Sequence, residues 1–153
     1  MEKLADHRYL QYEISNYAKE GYKSKHNSAY WEQKAYLGIG PSAHSFYENI
    51  RLHNIPSNME YINKIKNGSD YFETEKLTEK EFFNEFIMTR LRTSKGLNVR
   101  ELELLFPDYL DSFKAKTSVF LRSGQLAFFG DEYRLTKEGK LMADYIASEF
   151  FEI

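Results

Sequence analysis

Leu126–Leu135 reads LAFFGDEYRL: two short aromatic-rich runs on either side of Gly130-Asp131. A Gly-Asp pair between such runs signals a β-hairpin, because glycine takes the backbone conformation that tight turns demand. Upstream, Tyr109, Leu110, Phe113, Val119, Phe120 and Leu121 recur at helical spacing. Pro107 suits the first turn of that helix and Gly124 stops it. Downstream, Thr136 is placed to cap a last helix with Leu141, Met142, Tyr145, Ile146 and Phe150 on one face.

Farther upstream the helix signals repeat. Asn98 with Glu101 opens a short helix bearing Val99, Leu102, Leu105 and Phe106. Thr78 with Glu81 has the spacing of a capping box, followed by the stripe Phe82, Phe83, Phe86, Ile87 and Leu91. Ser57 with Glu60 repeats that spacing before Tyr61, Ile62 and Ile65, and Gly68 ends the run. Helices, then a hairpin, then a closing helix spell a winged-helix-like domain over residues 56–153.

Residues 1–55 have a different texture, rich in Tyr, Gly, Ser and Asn. Met1–Leu10 reads as the last turns of a helix. Gln11–Ser15, Ala35–Ile39, His44–Tyr47 and Ile50–His53 read as short strands, and Asn16–Asn27 as a loop. Strands this few and short point to an incomplete unit. The expected class is α+β.

Composition narrows the function. The net charge of −2 gives no reason to expect a nucleic-acid or anionic-membrane partner. The candidate recognition helix sets Asp108 and Asp111 against Lys114, Lys116 and Arg122, which is poor equipment for phosphates. Nucleic-acid binding is therefore not expected. Twelve Tyr and twelve Phe supply the area for a compact core. No apolar run is long enough for a secretory signal or a membrane span. With no cysteine present, neither a disulfide nor a thiolate-held iron–sulfur cluster can form on this chain. A cytoplasmic protein is expected.

Three blocks follow one another in the first part: YEISNYA (Tyr12–Ala18), HNSAYW (His26–Trp31) and YLGIGPSAHS (Tyr36–Ser45). LRTSKGL (Leu91–Leu97) and LTKEG (Leu135–Gly139) follow later. In this order the blocks resemble the oxygen-independent coproporphyrinogen III oxidase-like family of radical S-adenosylmethionine proteins, particularly its haem-chaperone (HemW-type) branch. The resemblance covers nearly the whole chain. It implies that residues 1–55 are the last strands of a radical S-adenosylmethionine barrel and that 56–153 are the helical C-terminal domain. It implies a role in porphyrin or haem metabolism.

In that family a CxxxCxxC-type motif near the start of the barrel holds the cluster. This chain departs from the pattern by lacking cysteine, so it is expected to be the C-terminal portion and inactive in radical chemistry by itself. S-adenosylmethionine and the iron–sulfur cluster then belong to the intact protein. No catalytic residue and no metal ligand set is assigned here.

Two readings of HNSAYW stand side by side. The resemblance ties it to haem, with His26 as contact and Tyr30 and Trp31 supporting the pocket; an imidazole or a phenolate can ligate haem iron. Alternatively, His26 and Asn27 shape a polar loop that Tyr30 and Trp31 anchor. Gly38, Gly40 and Ala43 match a GxGxxA pattern, but Pro41 and the HSFY run oppose the helix a dinucleotide fingerprint needs. The resemblance puts them near S-adenosylmethionine in the intact protein; a plain tight turn explains them equally. The expected partners are porphyrin or haem and the protein's own N-terminal barrel half. Exposed strand edges also predict self-association. The alternative roles are a non-catalytic interaction module and, less favoured by the charges, a winged-helix nucleic-acid-binding protein.

Overall fold

The computed structural model describes residues 2–153. The elements in chain order are α1 (Glu2–Asp6), β1 (Leu10–Glu13), β2 (Asn16–Ala18), α2 (Lys25–Trp31), β3 (His44–Tyr47) and β4 (Ile50–Asn54). Then come α3 (Asn58–Lys66), β5 (Phe72–Lys76), α4 (Glu79–Leu91), β6 (Leu97–Asn98) and α5 (Val99–Leu105). A 3-10 turn at Pro107–Tyr109 leads into α6 (Leu110–Arg122), followed by β7 (Leu126–Phe129), β8 (Glu132–Leu135), α7 (Lys137–Lys140) and α8 (Ala143–Glu149). The mixed α and β class expected from the sequence is present.

The local signals act as written. Ser57 accepts from the Glu60 N–H at 3.3 Å. Asn98 accepts from the N–H groups of Arg100 and Glu101. At α4 the Thr78 hydroxyl takes the Glu81 N–H at 3.3 Å while the Glu81 carboxylate takes the Thr78 N–H at 2.8 Å, a reciprocal capping box. Gly130 has φ +60° at the first turn position of the β7–β8 hairpin, the conformation that glycine makes cheap.

By internal contacts the chain forms two units, one of residues up to Glu32 with Phe83–Ile153, the other of Gln33–Phe82. The expected boundary at residue 55 concerned family domains and is a separate matter from this grouping.

The first unit holds the fully buried aromatic core. Phe83 and Phe86 of α4 pack against Phe106, with ring centroids 5.5 and 5.3 Å apart. Phe113 and Phe120 of α6 pack on Phe150 at 4.7 and 5.5 Å. Leu97, Leu102 and Ile146 complete it with no exposed surface. Strand β6, which the sequence did not announce, pairs antiparallel with β8 to give the order β6-β8-β7. In the second unit β3, β4 and β5 form an antiparallel meander in which His53 lies between His44 and Glu73.

Several expectations are corrected. Asn16–Asn27 is not all loop: Asn16–Ala18 pairs with β1, and Ser24 caps α2 by accepting from the Asn27 N–H. Ala35–Ile39 is not a strand. Tyr36 makes one isolated bridge with Phe46, and the Gly38 N–H turns to the Ser45 hydroxyl instead of a strand partner. Phe72–Lys76, too polar to read as a strand, becomes one through β4. The last helix breaks at Leu141-Met142, and its buried face is Ala143, Ile146, Ala147 and Phe150. Leu141, Met142 and Tyr145 are exposed, because the break rotates α8 away from the register that starts at Thr136. Of the expected Met1–Leu10 helix, Glu2–Asp6 is helical, and Met1 lies outside the described residues.

Candidate functional site

The site grows from one buried carboxylate. Glu13 closes β1 with 1% of its surface exposed. A buried charge needs partners, and none is visible within the neighbouring sequence beyond the local turn. Oε2 accepts from the Ser15 N–H at 2.9 Å and from the Asn16 side-chain amide. Oε1 accepts from Nε of Arg92 at 3.0 Å, across 79 residues of sequence. The backbone joins the same two segments: the Ile14 N–H donates to Arg92 O at 3.1 Å, and the Ser94 N–H to Tyr12 O at 3.0 Å. The YEISNYA and LRTSKGL blocks are thus neighbours in space.

HNSAYW forms α2, which has no fully buried residue. A seven-residue helix is too short to stand by its own propensity, so its outside ties matter. Asn27 Nδ2 donates to Asn16 Oδ1 at 3.4 Å. The Arg92 guanidinium carbon lies 5.4 Å from the centroid of the Trp31 ring, a cation–π contact. Arg90 Nη1 donates to Trp31 O at 2.7 Å while its Nη2 pairs with Glu101 at 2.8 Å. Lys95 pairs with Glu32 at 2.6 Å. Glu101 is therefore part of this support.

The structure separates the three residues that the sequence grouped. His26 and Tyr30, four apart, share the exposed face of α2, with their rings edge-on at 4.8 Å. Trp31 points toward the first unit with Asn27, and its indole N–H is buried without a hydrogen-bond acceptor. Beside it opens a cavity of about 400 Å³ bordered by Tyr12, Ser28, Trp31, Arg90, Lys95 and Glu101.

Gly38, Gly40 and Ala43 lie in the other unit. A Cβ on Gly38 would sit 2.1 Å from the carbonyl oxygen of His44, so its smallness is used up by the chain's own backbone. Gly40 has φ +104° and nothing within 4 Å of its Cβ position. Asn54, buried, donates to the carbonyls of Gly40 at 2.9 Å and Gly38 at 3.3 Å. Ala43 O accepts from the Asn54 N–H at 2.9 Å. One contact escaped sequence reasoning: His44 and His53 meet across β3 and β4 with ring centroids 4.5 Å apart. Only the strand register could have revealed it. Among the described residues no cluster of three or more His, Asp or Glu side chains is arranged to hold a metal ion. Nor is any helix long and apolar enough to cross a membrane.

Residues 77–142 match the family model of the HemN C-terminal domain. The fold agrees: the coproporphyrinogen III oxidase HemN from Escherichia coli, described as a radical SAM enzyme, superposes with a TM-score of 0.72 at 15% identity. That match covers 98% of this chain and 38% of the HemN chain. Over 98% of its length the chain is also 32% identical to the heme chaperone HemW of Bacillus subtilis (strain 168), and over 69% it is 33% identical to HemW of Lactococcus lactis subsp. lactis (strain IL1403). The chain belongs to the HemW-type family of coproporphyrinogen III oxidase-like proteins and corresponds to its C-terminal portion. It spans 40% of the Bacillus subtilis relative and 28% of the Lactococcus lactis one.

Proposed function

We propose that this chain is the haem-handling C-terminal portion of a haem chaperone of the coproporphyrinogen III oxidase-like family. In this reading it takes haem, or a related porphyrin, as cargo on the exposed face of α2, and performs no radical chemistry itself. The observation that carries the proposal is the placement of His26 and Tyr30 on that face, in a chain whose relatives are named heme chaperones.

The residues fit haem as a transient cargo. An exposed imidazole can approach iron without first breaking a core contact, and an adjacent phenol offers a second donor. A surface helix suits a protein that must pass its cargo on. Trp31 serves the pocket from behind, by holding α2.

The residues do not fit an iron–sulfur cluster. The chain of 153 residues offers no thiolate, so no step through a cluster is derived for it. For S-adenosylmethionine in the intact protein, Gly40 has open space beside it, whereas the space beside Gly38 is filled by His44. In this reading Gly38, Gly40 and Ala43 border that cofactor as one turn, clamped by Asn54.

We further assign residues 1–55 to the last part of the family barrel and 56–153 to a winged-helix-like domain. The order α4, β6, α5, α6, β7, β8, with β6 paired to β8, supports the second assignment. The protein's own N-terminal barrel half is the expected partner of the first. Exposed Leu37 and Ile39 support self-association in its absence. A cytoplasmic setting goes with this role.

The test is a haem titration of wild type and His26→Ala, followed by the Soret band. The variant should bind at least about ten-fold more weakly with a displaced Soret maximum, in line with loss of a ligand or its immediate support. An unchanged spectrum and affinity would remove His26 from the site.

A further inference from the structure

Helix α2 has no core of its own, so something else must fix where His26 and Tyr30 point. Besides the Arg90 bond to the Trp31 carbonyl and the Lys95–Glu32 pair at its C-terminal end, the helix is tied at Asn27 and Trp31 to one polar chain, Asp144–Arg92–Glu13–Asn16–Asn27. Glu13 is the centre of that chain and is almost completely buried. It engages Asn16 through one carboxylate oxygen and Arg92 through the other. Asn16 in turn accepts from Asn27 of α2, and Arg92 lies over the ring of Trp31 of α2. The two ties reach the same inner face of the helix, because Asn27 and Trp31 are four residues apart.

We infer that Glu13 and Arg92 are positioning residues for the His26–Tyr30 face. The buried carboxylate orients Asn16 and the guanidinium together, and these hold α2 at Asn27 and Trp31. Neither residue touches haem. Their effect on the cargo is exerted through the orientation of the helix, as outer hydrogen-bond partners act on the ligands of a metal. Glu13 and Arg92 lie in YEISNYA and LRTSKGL, so two further blocks, one of them distant in sequence, serve the helix formed by HNSAYW. The inference rests on the proposed haem contact for its functional part, and its structural part is measurable without haem.

Trp31 is the only tryptophan of the chain, so its fluorescence reports the seat of α2 directly. Arg92→Lys keeps a cation for Glu13 but removes the flat guanidinium over the indole and the fixed Nε–H. Asn16→Ala leaves the Glu13–Arg92 pair in place and removes the side-chain amide that links the Glu13 carboxylate to Asn27. Both variants are compared with wild type well below their melting temperatures, by Trp31 emission and by haem titration.

The expected result is a cooperative melt, a shifted Trp31 emission, and haem affinity weaker by about ten-fold for Arg92→Lys. A smaller change in the same direction is expected for Asn16→Ala. If Arg92→Lys does not fold, Asn16→Ala decides. Folded variants with wild-type emission and affinity overturn the inference. Shifted emission with unchanged affinity also overturns it, leaving the pair a purely structural role. A wild-type chain that binds no haem sinks the proposed function instead, while an unshifted Trp31 emission in the variants still counts separately against the positioning.

Discussion

Phe150 and Leu141 make a sharp comparison, since helical periodicity assigns both to one apolar face. In the structure Phe150 has no exposed surface and packs on Phe113 and Phe120, whereas Leu141 is 77% exposed after the break between α7 and α8. Phe150→Ala removes a fully buried ring, which costs about 3–5 kcal/mol through lost transfer energy and the cavity left behind. Two ring pairs are lost with it, so a figure near the middle of that range, about 4 kcal/mol, is expected. For a chain of this size each kcal/mol lowers the melting temperature by roughly 2–4 °C, giving a drop of about 8–16 °C. Leu141→Ala should stay within about 0.5 kcal/mol, as surface changes do. Thermal and urea unfolding followed by circular dichroism measure both. Equal destabilisation by the two variants would refute the break in the last helix and restore a continuous apolar face.

Gly139→Ala would drive a Cβ to 1.9 Å from the backbone oxygen of Gln125, which cannot swing aside as a side chain can; destabilisation of at least about 1–3 kcal/mol is expected from the melting curve. Arg92→Met should destabilise by about 2–3 kcal/mol, because it takes the cation from the buried Glu13 carboxylate, and Glu13→Gln by less, because Arg92 keeps Asp144 as a partner. The double variant should cost clearly less than the sum, and strict additivity in that cycle would mean that the pair is not coupled. The Thr78 N–H and then its hydroxyl, both donating to the Glu81 carboxylate, hold the Glu81 pKa below its ordinary value. Its cap therefore contributes fully above the ordinary carboxylate pKa and is lost as pH falls through the lowered one. Melting temperature measured against pH should show a shallower acid limb for Glu81→Gln than for wild type.

The helix starts and the β7–β8 hairpin were legible because their determinants are local. A capping box needs two side chains three residues apart, and a tight turn needs one glycine at the right place. The pairing of β6 with β8 left no trace in a two-residue segment. Strand β5, FETEK, lacks the apolar alternation that marks a strand and exists because β4 offers it an edge. HNSAYW was legible as a block, but not the split of its side chains between two faces. His26 and Tyr30 face outward while Trp31 faces inward, and that split follows from what lies beneath α2. The exposed Leu141 and Tyr145 show the converse, that periodicity promises burial only while the helix continues unbroken.

By itself, the sequence determined the helix caps, the hairpin, the aromatic supply of the core, the absence of thiolates and the kinship of its five blocks. All of these are properties of residues close together in the chain or of composition. Tertiary structure alone decided that Glu13 meets Arg92, that Asn16 reaches Asn27, that His44 faces His53, and which side of α2 is exposed. A buried carboxylate must be satisfied, but any of the chain's cations could have served. Only the folded path brings the right one to 3.0 Å.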